Sequence, residues 1–82
     1  MNTTTTTTYA YTIYLANLET GELWEQMLNA RSASAALRGF MRRRRYYEDL
    51  HKGDRYKVAV YAGYIPMTER EDWMEHAPLQ TA

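Results

Sequence analysis

Two strand-like stretches, joined by a short turn that contains glycine, limit this chain more than any other feature. Residues 9–18 (YAYTIYLANL) and residues 22–30 (ELWEQMLNA) each read as a β-strand. Glu19, Thr20 and Gly21 between them have the form of a three-residue hairpin loop, with Gly21 supplying the positive φ. With Leu18 opposite Glu22, the register pairs Ile13 with Met27 and Leu15 with Glu25. One face of the hairpin then carries Tyr11, Ile13, Leu15, Leu23 and Met27. The other carries Tyr14, Ala16, Leu18, Trp24 and Leu28, with Thr12 and Gln26. Both faces are partly apolar, so both need cover.

The periodicity then changes. At about 100° per residue, Ala33, Ala36, Leu37, Phe40 and Met41 fall on one side of a helix. Ser32 or Ser34 is the candidate N-cap, and the helix is expected to run to about His51, with Gly53 as its stop. Gly39 inside it is expected to mark close packing. Alternation returns in residues 56–64 (YKVAVYAGY), opened by Asp54: Tyr56, Val58 and Val60 point one way, and Lys57, Ala59 and Tyr61 the other. Thr68 and Glu71 fit a capping box for a short acidic helix that carries Trp73 and Met74 and ends at Pro78.

The expected fold is therefore α+β: a small three-stranded antiparallel-type sheet (β-β-α-β) packed on one amphipathic helix, with a short C-terminal helix. Residues 1–8 are expected to form a disordered Thr-rich N-terminus, residues 9–77 a single α+β domain, and residues 78–82 a loose C-terminal tail. A chain of 82 residues is one domain with a thin core. It has no cysteine, hence no disulfide or thiol nucleophile, which leans to the cytoplasm. No apolar run is long enough to span a bilayer and no signal segment opens the chain, so no membrane partner is expected.

Net charge is zero, but its distribution is uneven. Residues 1–30 hold Glu19, Glu22 and Glu25 and no base. Residues 31–45 hold six arginines and no acid. Residues 61–82 hold Glu69, Glu71, Asp72 and Glu75 against Arg70. This favours oriented docking on an acidic surface over general affinity for polyanions.

Two candidate surfaces follow. On a straight helix Arg38, Arg42 and Arg45 lie within roughly 60° of one another, opposite Phe40 and Met41, with Arg43 on the flank. Arg44 extends the apolar stripe, so it either snorkels past the core edge or marks fraying. The second surface is the sheet face away from the helix, where Tyr14, Trp24 and Tyr61 would stand beside Lys57 and Gln26. Such aromatics suit base stacking or a protein partner, unless Trp73 and Met74 fold back over them or two copies pair through them.

Residues for catalysis do not converge. His51 and His76 belong to no metal-binding motif, Ser32 and Ser34 read as caps, and the four glycines form no phosphate loop. No catalytic residue, metal or cofactor is expected, and the chain does not read as an enzyme.

The layout of residues 9–64, with Y-T-I-Y-L-A-N-L, E-T-G-E, a Ser-capped A-A-L-R-G-F-M helix and Y-K-V-A-V-Y, resembles many small proteins of phages and mobile elements, anti-CRISPR proteins among them. That resemblance implies a small, cysteine-poor binder that occludes a site on a larger host protein or nucleoprotein complex, and it carries over no site residues. The expectation is a non-enzymatic binding module with a protein or nucleoprotein partner, using Arg38, Arg42, Arg43 and Arg45 or Tyr14, Trp24, Tyr61 and Lys57. Direct nucleic-acid binding and a structural homodimer are the alternatives.

Overall fold

The computed structural model describes residues 7–46 and 50–82. The expectation for the first six residues thus lies outside the described residues, as does the expected helical course through residues 47–49; Leu50 and His51, to which the helix was expected to run, are not helical, and the side chains of Arg45 and Tyr46 are not described. Strands β1 (Tyr9–Asn17) and β2 (Leu23–Ala30) form the hairpin, followed by helix α1 (Ala33–Tyr46) and strand β3 (Arg55–Ala62). A 3₁₀ turn at Met67–Glu69, the single-turn helix α2 (Trp73–His76) and strand β4 (Leu79–Thr81) complete the chain. All strand pairs are antiparallel and the sheet order is β2-β1-β3-β4.

The sheet thus has four strands where three were expected. The fourth comes from the presumed loose tail: Leu79–Thr81 pairs with Arg55, Tyr56 and Lys57 of β3. The end is closed by two backbone bonds, Ala82 N–H to the Asp54 carbonyl (2.8 Å) and Gly53 N–H to the Ala82 carbonyl (3.1 Å). Gly53 sits at φ 92°, which only glycine adopts without strain.

The hairpin register also differs by one residue. Ile13 lies opposite Gln26 and Leu15 opposite Trp24. The cause is Asn17. Its side-chain Oδ1 accepts the Glu19 N–H at 2.9 Å, an Asx turn that begins the loop earlier than the E-T-G reading assumed. Its own N–H donates to the Glu22 carbonyl (2.9 Å), and Gly21, at φ 77°, donates back to the Asn17 carbonyl. Because side chains alternate, a slip of one residue moves all of β2 to the opposite face. Trp24, Gln26 and Leu28 therefore lie on the helix side of the sheet.

The helix side forms the larger core. Ile13, Leu15, Ala36, Phe40, Leu50 and Tyr56 are buried together, flanked by Tyr11, Trp24, Leu28, Met41, Val58 and Val60. Of the expected α1 stripe, Ala36, Phe40 and Met41 pack into this core while Ala33 is exposed, and the phase of β3 is as expected. Ser32 is the N-cap, its Oγ accepting the Ala35 N–H at 3.1 Å. Gly39, in contrast, is exposed, with nothing within 4 Å of where a Cβ would stand, so it marks no close packing.

The second face is covered by residues 63–78. Tyr14, Ala16, Trp73 and Ala77 are buried there, with Ala59, Tyr61, Met67 and Met74 packed against them. The Tyr14 ring meets Trp73 edge-on, at 5.5 Å between centroids. Thr68 and Glu71 form no capping box. Met67–Glu69 is a 3₁₀ turn, and α2 starts after Asp72 without a side-chain cap.

Strand β1 is consequently buried on both sides from Thr12 to Asn17. Its polar groups on the second face are all used. The Thr12 hydroxyl donates to the Gly63 carbonyl (2.6 Å) and accepts the Ile65 N–H (3.2 Å), and the Tyr14 hydroxyl donates to the Ile65 carbonyl. Burial, reinforced by the nearby Glu25 carboxylate, pushes the Tyr14 phenol above its ordinary value.

Replacing Tyr14 by Phe leaves the Ile65 carbonyl without its donor and is expected to cost about 1–2 kcal/mol, measured as a lower urea midpoint with unchanged m-value. The linkage has a sign. A phenol held protonated by the fold contributes stability that is intact below pH 10.0, the ordinary tyrosine value, and is lost as pH rises through the raised one. Urea midpoints measured upward from pH 9 should fall more steeply for the wild type than for Tyr14→Phe.

Candidate functional site

Helix α1 presents its outer face to solvent. Arg38, Arg42 and Arg43 are exposed, and Arg31 and Ser32 before the helix are exposed as well. Arg38 and Arg42 are one turn apart and stack along the axis. No acid occurs from Ala33 to Tyr46. Among the described residues no carboxylate pairs with Arg38, Arg42 or Arg43; the ion pairs found there are Arg55 with Glu19 and His76 with Asp72. Arg45, the third member of the expected column, belongs to α1, but its side chain lies outside the described residues.

Arg44 takes another role. It is half-buried, and its guanidinium lies 5.3 Å from the centroid of the Trp24 ring and 5.1 Å from that of Phe40. A planar, weakly hydrated cation over two aromatic faces is favourable, and its stem covers core edge at the same time. The position that conflicted with the apolar stripe is thus a lid on the helix-side core.

The second expected surface does not assemble. Trp24 lies on the helix side, away from Tyr14 and Tyr61, because of the register. Tyr14 is fully buried, with its ring 5.1 Å from that of Tyr61. Lys57 is half-buried and its Nζ donates to the Met74 carbonyl at 2.7 Å, so it ties α2 to β3. Arg70 lies over the Tyr61 ring at 5.3 Å. The open aromatic platform that base stacking requires is occupied by the chain's own residues 63–78.

The same covering segment carries the acids. Glu69, Glu71, Asp72 and Glu75 are exposed on it, and Glu25 of β2 faces the same side, its Oε2 accepting the Met67 N–H at 2.8 Å. The sheet therefore separates an arginine-bearing layer from an acid-bearing one. Beside Glu25 the structure also exposes a groove of about 290 Å³ between β2 and the covering segment, lined by Leu23, Met67, Thr68, Glu71, Trp73 and Met74. The sequence reading missed this groove because it put Leu23 and Met27 on the helix side; Asn17 as an Asx-turn former was the signal that would have corrected the phase.

Among the described residues no group of His, Cys, Asp and Glu is arranged to hold a metal ion, and no helix is long and apolar enough to cross a membrane. Comparison with known protein families, with curated proteins and with solved structures finds no match for this chain.

The two classes of arginine separate in stability measurements. Arg44→Ala removes both ring contacts and is expected to cost about 1–2 kcal/mol. Arg38→Ala removes an exposed side chain with no ion pair among the described residues and should stay within about 0.5 kcal/mol of wild type. Chemical unfolding of the two variants side by side is the measurement.

Proposed function

We propose that this protein is a non-enzymatic binding module that docks the outer face of α1 on an acidic protein surface. One observation carries the reading: Arg38, Arg42 and Arg43 are exposed and have no carboxylate partner among the described residues. Arginines in such a row can each take a carboxylate in bidentate fashion, and arginine is enriched where protein interfaces have their strongest contacts.

An occluding inhibitor of the kind the layout resembles needs only such a face: bulk, charge and rigidity, with no chemistry. As proposed, the module works in the cytoplasm on a protein or nucleoprotein complex, without metal or cofactor. A protein target is favoured over bare nucleic acid because Tyr14 is buried, Tyr61 is stacked beneath Arg70 and Trp24 lies under Arg44. A duplex would meet the arginines alone, without stacking.

The test is fluorescence anisotropy with a labelled glutamate-rich peptide and a labelled short duplex DNA across a salt series. Wild type is compared with an Arg38→Glu/Arg42→Glu/Arg43→Glu variant whose fold is verified by circular dichroism. The expected result is salt-sensitive binding of the peptide, lost by at least about tenfold in the variant, with DNA bound no more tightly. DNA bound far more tightly, with a steep salt slope, replaces this reading with a phosphate grip. No binding of either probe at low salt leaves the arginines as a solvated helix face and overturns it.

A further inference from the structure

Among the described residues strand β2 is an edge of the sheet, and it is the longer of the two edges. The other edge, β4, is three residues long, whereas β2 runs for eight, Leu23–Ala30, without proline, lysine or arginine to discourage pairing. The ladder shows which backbone groups it offers. Asn17 N–H donates to the Glu22 carbonyl, so the hydrogen-bonded pairs of β1 and β2 are those in phase with it: Leu15 with Trp24, Ile13 with Gln26, Tyr11 with Leu28. The bond from Leu18 N–H to the Arg55 carbonyl agrees, since it assigns the even-numbered residues of β1 to β3. Leu23, Glu25, Met27 and Asn29 therefore turn their N–H and C=O groups outward.

The side chains of those four residues point to the second face and are exposed, Leu23 at 56% and Met27 at 53%. Leu23 also lines the groove, together with the buried Trp73 and with Met67 and Met74. Methionines give a wall that adapts to the side chain it receives. Glu71 lies in the lining, Glu25 on the strand, and Glu69 and Glu75 on the covering segment, whose single cation, Arg70, is held over the Tyr61 ring.

We propose that the β2 edge and this groove form a docking site for an extended basic–apolar peptide segment that adds to the sheet as a fifth strand. Its backbone pairs with the outward groups of Leu23, Glu25, Met27 and Asn29. Of its side chains on the second face, two apolar ones meet Leu23 and Met27, and a lysine or arginine between them stands opposite Glu25. The acid rim selects for that positive charge. A second copy of this chain is the poorer occupant. Antiparallel pairing of two β2 strands requires a two-fold axis perpendicular to the sheet, which sets acid layer beside acid layer and arginine-bearing helix beside arginine-bearing helix. This site lies across the sheet from the arginine face, so either can exist without the other.

The test titrates the isotope-labelled full chain with a blocked seven-residue peptide, Thr-Leu-Thr-Lys-Thr-Leu-Thr, followed by amide chemical shifts and hydrogen exchange. The control peptide carries Glu in place of the central Lys. The expected result is protection of the Leu23, Glu25, Met27 and Asn29 amides and an affinity about tenfold higher for the Lys peptide. Met27→Lys, at an exposed position that the core does not use, should abolish the protection while leaving the unfolding midpoint unchanged. Equal affinity for both peptides, shifts confined to α1, or no binding at millimolar peptide overturns the proposal. So does protection of the same amides without peptide that grows with protein concentration, which would assign the edge to a second copy.

Discussion

Two hydroxyl groups on one strand hold the second layer of this protein in place. Thr12 and Tyr14 lie on the same side of β1, and between them they satisfy the Gly63 carbonyl and both backbone groups of Ile65. Those groups have left the β3 ladder and would otherwise be part-buried without partners, at a cost of about 1 kcal/mol each. Gly63 makes the exit possible: at φ 81° it redirects the chain over the sheet, while its N–H still bonds to the Ala10 carbonyl at 2.8 Å. Once the chain is redirected, Trp73 and Ala77 can reach Tyr14 and Ala16, and β4 can return to the edge of β3. A four-stranded sheet with one layer on each side follows from that anchor.

The layers explain how a chain of zero net charge can behave as a charged one. β1 from Tyr9 to Asn17 contains no ionisable acid or base other than its tyrosines, so charge is confined to what lies above and below it. A packed layer sits about 10 Å from a sheet face, which puts the α1 arginines and the acids of residues 69–75 about 20 Å apart. That exceeds the Debye length of about 8 Å at physiological ionic strength. Each face therefore meets a partner as if the other were absent. A total charge of zero is no argument against a strongly basic contact surface, and the regional counts along the sequence describe the surface better than the sum.

Much of this architecture was legible because alternation and helical stripes are local signals. The phase of β3 and the Phe40 stripe follow from spacing, Ser32 was one of two candidate caps, and the return of Trp73 and Met74 over the second face was one of the alternatives that spacing left open. The hairpin register was not legible from alternation, since β2 is apolar in both phases: Leu23 and Met27 in one, Trp24 and Leu28 in the other. A side-chain bond from Asn17 decided between them. Strand β4 gave no signal, because Leu79–Thr81 is too short to have a period and is fixed by backbone bonds to residues 53 and 54, far away in sequence. The candidate surfaces inherit this division. The arginine face depends on helix geometry alone and was readable; the aromatic platform depended on the register and dissolved with it.

The run of four arginines and the hairpin slip turn out to be one problem with one solution. Successive helical residues step by about 100°, so four in a row nearly circle the helix and cannot all face water. Arg44 is the one directed inward, and an inward cation is tolerable only where something other than water meets it. On the sheet face below it, the register supplies Trp24, which joins Phe40 in giving the guanidinium two ring faces. In the opposite register that side of β2 would present Leu23, Glu25 and Met27, and Trp24 would lie across the sheet from Arg44. The indole expected on an open binding face instead helps to cover the inward Arg44, while Arg38, Arg42 and Arg43 point outward.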